Sequence, residues 1–143
     1  MRSAPNRIAW PMNLWRSTKT NAVEFLKTIA DASTQLDAGW RNELGLPSVP
    51  LLAHASLLVK VYAPRETDPQ QPHTRDEIYV IARGNGEFVC GDERTQFRAT
   101  DLLFVPAGKT HRFEKFSGDL TVWVIFYGPE GGEKPDGGPH KYS

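Results

Sequence analysis

A dense series of short β-rich segments between residues 55 and 127 most constrains the fold of this sequence. Only brief turns separate the segments, and no helical pattern interrupts them. Parallel strands would need helix-length crossovers between them, so the spacing favours antiparallel pairing in a sandwich or barrel. We therefore predict an all-β fold. The predicted strands are residues 55–62, 77–82, 87–90, 95–98, 101–105, 111–116 and 120–127.

The residues before this series have a different character. Apolar side chains recur at helical spacing over residues 20–30, and Thr20 or Asn21 can cap the start of a helix. One short amphipathic helix is expected there, ending between residues 32 and 39. The glycines and prolines of residues 39–50 then indicate a connection.

The sequence divides into three parts on this reasoning. The glycine- and proline-rich end of the chain is typical of a flexible or surface-lying tail. The predicted parts are an N-terminal arm with one helix (1–50), a β domain (51–128) and a tail (129–143).

Charge and composition exclude several function classes. Seventeen Lys and Arg balance seventeen Asp and Glu without a basic cluster, so neither nucleic acid nor an anionic membrane surface is expected as a partner. The longest apolar run, residues 122–127, is too short to span a bilayer.

The N-terminus lacks the apolar stretch of a secretory signal, which favours the cytoplasm. Because Cys90 is the single cysteine, any metal would need His, Glu or Asp ligands.

Two stretches carry residues suited to metal binding. In the first, Glu77 follows His73 by four residues at the start of a predicted strand, and Gly84 marks the hairpin turn that ends it. In the second, Pro106 and Gly108 form a turn that His111 leaves at the start of the returning strand. If both strands face one interior, two histidines and a carboxylate meet there.

Together these stretches resemble the paired motifs of the cupin superfamily. The pattern H-x3-E-x6-G matches His73, Glu77 and Gly84. The pattern P-x-G-x2-H matches Pro106, Gly108 and His111. The resemblance implies a double-stranded β-helix, the cupin jelly roll, with a short N-terminal helical arm outside it. It also implies one divalent transition-metal ion, which these N and O ligands could hold as Fe, Mn, Ni, Zn or Co.

The chain departs from that family at several positions. Arg65 and Gln71 replace the usual glycine and leading histidine of the first motif. Thr100 replaces the glycine that usually opens the second motif, and Lys115 replaces the asparagine that ends it. The implied ligands are therefore His73, Glu77 and His111, and at the fourth position either Gln71 supplies a carbonyl oxygen as a metal ligand or water takes its place. Its neighbour Gln70 is an alternative polar contact.

Several strand residues are expected to line a substrate pocket inside the barrel. A lysine facing inward would favour a ligand that carries a carboxylate. His54 and His140 are interpreted as ordinary histidines. The predicted pocket residues are Tyr62, Tyr79, Phe113, Lys115 and Trp123.

The resemblance implies a metal-dependent dioxygenase, isomerase or lyase that acts on a small oxygen-rich or carboxylate substrate. The alternative is a non-catalytic module that binds or senses a small ligand, and a third reading is a structural barrel with an empty site. The N-terminal arm could cover exposed strand edges in a homodimer, so a homodimer is expected.

Overall fold

The computed structural model describes residues 25–134, which form one helix and eight strands. All strand pairs are antiparallel, as the spacing of the β-rich segments predicted. The elements are α1 (Ile29–Asp37), β1 (Ser48–His54), β2 (Leu57–Tyr62), β3 (Asp76–Arg83), β4 (Asn85–Cys90), β5 (Glu93–Arg98), β6 (Leu102–Val105), β7 (His111–Glu114) and β8 (Thr121–Tyr127).

Helix α1 begins later than predicted. Its cap is Thr28, whose Oγ1 accepts a hydrogen bond from the Asp31 amide (3.1 Å), while Asp31 Oδ2 accepts one from the Thr28 amide (2.9 Å). This reciprocal capping box satisfies two donors and fixes the helix start. The prediction of helix over residues 20–30 is therefore wrong for residues 25–28, and residues 20–24 lie outside the described part. No helix within residues 25–134 is long and apolar enough to cross a membrane.

The strands form two facing sheets. The larger has the order β1-β2-β8-β3-β6 and the smaller the order β5-β4-β7. Strand β1 was missed in the sequence, because Pro47 and Pro50 read as part of a connection. The position of β1 at a sheet edge explains this, since an edge strand tolerates a proline that cannot donate to the ladder. The pairing register with β2 shifts between Pro50 and Leu52.

Gly84 is the corner at which the chain passes from β3 in the larger sheet to β4 in the smaller one. The expected hairpin between these strands is therefore wrong, because they lie in different sheets. Gly84 has φ +95°, and a Cβ there would lie 2.6 Å from Ser117 Oγ and 2.9 Å from Leu120 Cα. Only glycine fits so close a backbone approach at positive φ.

The core lies between the two sheets. Alternation along β3 turns Glu77, Tyr79 and Ile81 inward, the face-sharing that period two predicts. Aromatic rings from the smaller sheet, Phe88 and Phe113, pack edge-on against Tyr79. A second apolar cluster joins α1 to the outer face of the larger sheet through Ala32, Val49, Val61 and the partly buried Trp40 and Trp123. The inward face of β3 therefore carries a carboxylate, Glu77, beside an otherwise apolar core.

Candidate metal centre

Three side chains that the sequence singled out converge at one end of the space between the sheets. The potential ligand atoms of His73, Glu77 and His111 all lie within 4.8 Å of one another. Glu77 Oε2 is 3.3 Å from His111 Nε2 and 3.4 Å from His73 Nε2. The two imidazole rings are 5.1 Å apart between centroids. One atom from each residue therefore faces a common point.

Facing strands bring Glu77 and His111 together. Glu77 points inward from the second position of β3, in the larger sheet. His111 opens β7 in the smaller sheet, where it pairs with Cys90 of β4, and it also points inward. The convergence is thus a property of the two-sheet architecture and not of local sequence spacing.

Hydrogen bonds between two loops position His73. The Gly108 amide donates to the His73 carbonyl (2.7 Å), and the Ala107 amide donates to Asp76 Oδ1 (2.9 Å). Gly108 adopts φ +78°, which turns its amide toward the His73 loop. The Pro-x-Gly turn before His111 is thereby fastened to the loop that carries His73. The two motifs are therefore physically joined.

The carboxylate of Glu77 is buried at 1% exposure, yet its Oε2 has no hydrogen-bond partner among residues 25–134. Both imidazole Nε2 atoms are near it without hydrogen-bond geometry. A buried ionised carboxylate is costly unless it is paired or coordinates a metal. A cation between the three atoms would satisfy it, and imidazole with carboxylate suits divalent transition metals. The residues present therefore fit such an ion.

The environment of the histidines leaves their Nε2 atoms directed at the cluster. His111 Nδ1 donates to the Lys109 carbonyl (2.7 Å), which leaves Nε2 to face the cluster, 3.1 Å from the Tyr79 hydroxyl. Burial lowers the pKa of His111, but the nearby Glu77 carboxylate and the hydrogen bond to the Lys109 carbonyl raise it above its usual value overall. Burial lowers the pKa of His73 despite the nearby Glu77 carboxylate. His73 is therefore favoured in the neutral form that binds metal.

Gln70, and not Gln71, points at the cluster. Gln70 Oε1 lies 3.4 Å from His73 Nε2 and accepts a hydrogen bond from the Tyr79 hydroxyl (2.8 Å). Gln71 is exposed, and its Nε2 is 3.5 Å from the Pro69 carbonyl. The structure thus corrects the prediction that Gln71 is the fourth ligand. Its neighbour faces the site because Asp68 accepts a hydrogen bond from Gln70 Nε2 (2.6 Å).

Sequence reasoning missed Asp68, which organises this side of the site. Its Oδ1 accepts from the Tyr62 hydroxyl (2.6 Å), and its Oδ2 accepts from Gln70 Nε2 and from the Phe113 amide (2.8 Å). Asp68 is buried and thereby connects the Gln70 loop to β7, which carries His111. An Asp-Pro pair in the sequence indicates only a turn, so no local signal revealed this role.

The predicted pocket residues separate into different environments. Tyr62 lines a cavity beside the cluster, and Tyr79 contacts the cluster itself, with its hydroxyl 3.1 Å from His111 Nε2. Phe113 lies in the core between the sheets. Trp123 belongs to the outer cluster because Val122 and Val124, its neighbours on β8, point inward instead. These last two residues do not line the cavity.

Lys115 also lies away from the cavity. Its side chain is 77% exposed, and its Nζ is 3.6 Å from Glu87 Oε2 on the surface. Strand β7 ends at Glu114, and Lys115 adopts φ +47°, so it does not continue the inward face of His111 and Phe113. This corrects the expectation that Lys115 is an inward-facing cation.

A cavity of about 580 Å³ opens beside the cluster and includes His73 and Glu77 in its walls. This volume is in the usual range for small-molecule sites. Most of the wall is contributed by β2, β8 and the loops before β1 and β3. The wall also includes Leu44, Leu46, Leu58, Lys60, Tyr62, Gln70, Arg75, Val124, Phe126 and Glu130.

Comparison with known proteins agrees with this architecture. A cupin domain family matches residues 58–127. A 64-residue region is 42% identical to the uncharacterized protein SCO3923 of Streptomyces coelicolor, and it covers 45% of this chain and 61% of that protein. The match thus spans about three fifths of the length of that relative.

Two solved structures have the same fold. A cupin 2 conserved barrel domain protein from Salinispora arenicola aligns with TM-score 0.56 at 21% identity, over 76% of this chain and 91% of that one. Another from Rhodopseudomonas palustris aligns with TM-score 0.51 at 20% identity, over 58% of this chain and 61% of that one. The predicted jelly roll is confirmed. The two-sheet barrel, the paired motifs and the family match together show that residues 58–127 of this chain form a cupin domain.

Proposed function

We propose that this protein binds one divalent transition-metal ion through His73, Glu77 and His111 and holds a small molecule in the adjoining cavity. The observation that carries the proposal is the buried Glu77 Oε2, which has no hydrogen-bond partner among the described residues and lies between two imidazole Nε2 atoms. Three protein ligands leave coordination positions open. The substrate class we propose is a small oxygen-rich or carboxylate compound.

The bound ion would supply Lewis-acid chemistry or a site for O₂, as a dioxygenase, isomerase or lyase requires. The chain's own residues orient that chemistry. Burial raises the pKa of Tyr79 well above its usual value, so the phenol stays protonated and donates to Gln70 Oε1. His73 lies in the cavity wall, so one ligand of the ion is close to any molecule that enters.

One observation favours the alternative of a non-catalytic binding or sensor module. Tyr62 is the tyrosine in the cavity wall, and its hydroxyl donates to buried Asp68. Burial and this hydrogen bond raise its pKa above the normal range of tyrosine. A phenol held in this way is a poor proton donor to a ligand, so Tyr62 serves positioning better than acid–base catalysis.

Elemental analysis of protein purified without chelators tests the metal proposal. We expect about one equivalent of a divalent transition metal per chain, as one cluster of three ligands implies. Protein that remains metal-free after incubation with Fe(II), Mn(II), Ni(II), Zn(II) and Co(II) would overturn it. Oxygen uptake or turnover across a panel of small acids then separates an enzyme from a binding module, because a binding module would hold the acids unchanged.

The two neighbouring glutamines provide a matched pair of variants. Gln70→Leu should weaken metal binding about 10-fold, because a residue that orients or supplements the ligands is typically worth that much. Gln71→Leu should change it less than about 2-fold, since that side chain points to solvent. Competition with a fluorescent chelator measures both affinities. Equal effects, or a larger effect at Gln71, would show that the site is built differently.

A further inference from the structure

Two cationic side chains surround one aromatic ring in the cavity wall. Lys60 Nζ lies 5.7 Å and Arg75 Cζ 5.9 Å from the centroid of the Phe126 ring. The His73 ring packs edge-on against the same ring, 4.8 Å between centroids. Lys60 and Arg75 are therefore neighbours of a proposed metal ligand.

Lys60 occupies an unusual position for a lysine. Strand β2 alternates its side chains, and the inward face carries Leu58, Lys60 and Tyr62, all three in the cavity wall. An inward position in the middle of a sheet normally holds an apolar residue. Among residues 25–134, Lys60 Nζ forms no hydrogen bond or salt bridge, and it lies over the Phe126 ring. The ammonium group therefore faces the cavity without an anionic partner in contact.

Without a metal ion, the charged side chains of the cavity wall balance one another. Burial lowers the pKa of Lys60, and the positive charge of Arg75 lowers it further. The carboxylates of Glu77 and, more weakly, Glu43 act in the opposite direction. The cavity wall holds two cations, Lys60 and Arg75, against the carboxylates of Glu77 and Glu130. A divalent ion at the proposed site would make the cavity positive overall, which attracts an anion.

The wall also carries apolar side chains beside these charges, and Val124 is the partner of Lys60 across the β2–β8 pair. The apolar side chains are those of Leu44, Leu46, Leu58 and Val124. A ligand that fits both parts has one anionic end and a short hydrocarbon body. A single flexible ammonium suits a carboxylate, whereas phosphate sites more often combine several backbone or guanidinium donors. Arg75 already donates one of its N–H groups to the Ser56 carbonyl.

We infer that Lys60, supported by Arg75, forms an anion subsite that holds the carboxylate of a small organic acid, whose hydrocarbon part lies against the leucines of the cavity. The inference deepens the proposed function and rests on it, because it names the ligand class of the cavity beside the metal cluster. No notable role for Lys60 was visible in the sequence, where it is one lysine in a β-rich run.

Isothermal titration of the full-length protein with hexanoate and hexanamide tests the subsite. The two probes have similar size and differ in charge, so the carboxylate should bind about tenfold more tightly, the usual effect of one charge-assisted hydrogen bond. Lys60→Met, which keeps the side-chain length, should bring the two affinities within about 2-fold. Lys60→Arg should retain the preference. Lys115→Met is the matched control, because that lysine is exposed and outside the cavity, and it should behave like the parent.

Metal content measured on the same samples separates this inference from the proposed function. A metal-free parent that still prefers hexanoate through Lys60 would support the subsite while the metal proposal fails. Parent and Lys60→Met proteins with equal metal content and equal hexanoate affinity would overturn the subsite alone. No measurable hexanoate binding to the parent, or tighter binding of inorganic phosphate, would overturn it as well. Thermal unfolding of Lys60→Met near the parent temperature confirms that the variant is folded.

Discussion

His111→Ala should abolish stoichiometric metal binding. Removal of one of three ligands should weaken the affinity at least about 100-fold, because second-sphere changes alone already cost 10- to 100-fold. Glu77→Gln should have a comparable effect, since a neutral amide removes the negative charge that the ion would compensate. Equilibrium dialysis with Co(II), followed by its visible absorption, measures occupancy directly. His54→Ala is the matched control, because that histidine is exposed at the end of β1 and distant in sequence from the cluster.

A chelator distinguishes this account from a simple buried ion pair between Glu77 and His111. Bound metal stabilises the folded state by mass action, so chelation should lower the unfolding temperature of the parent. His111→Ala should show no such response, because it has no ion to lose. If Glu77 and His111 form only an ion pair, the parent should be insensitive to chelator. That result, together with unchanged Co(II) binding in His111→Ala, would contradict the assignment.

Asp68→Ala should be the most destabilising single substitution near the site. Asp68 accepts hydrogen bonds from the Tyr62 hydroxyl, the Gln70 amide and the Phe113 backbone amide, and it is buried. Truncation leaves these donors unsatisfied, which should reduce the free energy of unfolding by about 3 kcal/mol or more. Metal affinity should fall as well, because Gln70 loses the contact that directs its Oε1 at the cluster.

Urea denaturation in the presence of chelator measures this effect without a contribution from bound metal. Asp101→Ala is a suitable control, since Asp101 also accepts a backbone hydrogen bond, from Arg98, but at the surface. Its cost should not exceed about 1 kcal/mol. Asp68→Asn keeps the size and part of the acceptor capacity, and it should fall between the two. Similar losses for Asp68→Ala and Asp101→Ala would show that the buried network contributes little.

The strands and the three proposed ligands could be predicted because their signals are local. Each of the seven predicted strands corresponds to one of β2 to β8, since period-two alternation and turn residues lie within each segment. His73, Glu77 and His111 were identified through two short motifs. Their convergence required that the two strands face one interior, which the resemblance to the cupin barrel implied.

The missed features depend on contacts between distant parts of the chain. Pro50 concealed β1, because only the edge position of that strand makes the proline acceptable. Gln70 faces the cluster because Asp68 orients it, and Asp68 in turn contacts Phe113, forty-five residues later in the chain. Alternation along the predicted strand places Lys115 on the inward face, but the residue follows the end of β7. Lys60 became notable only when β2 was placed next to β8. None of these relations has a signature in a short window of sequence.

Anomalous diffraction from crystals grown with Mn(II) or Co(II) tests the central claim most directly. The account predicts one strong anomalous peak between His73 Nε2, Glu77 Oε2 and His111 Nε2, at roughly 2.0–2.2 Å from each atom. A crystal grown at the same metal concentration that shows no peak there, with Glu77 instead hydrogen-bonded to His111, would contradict it.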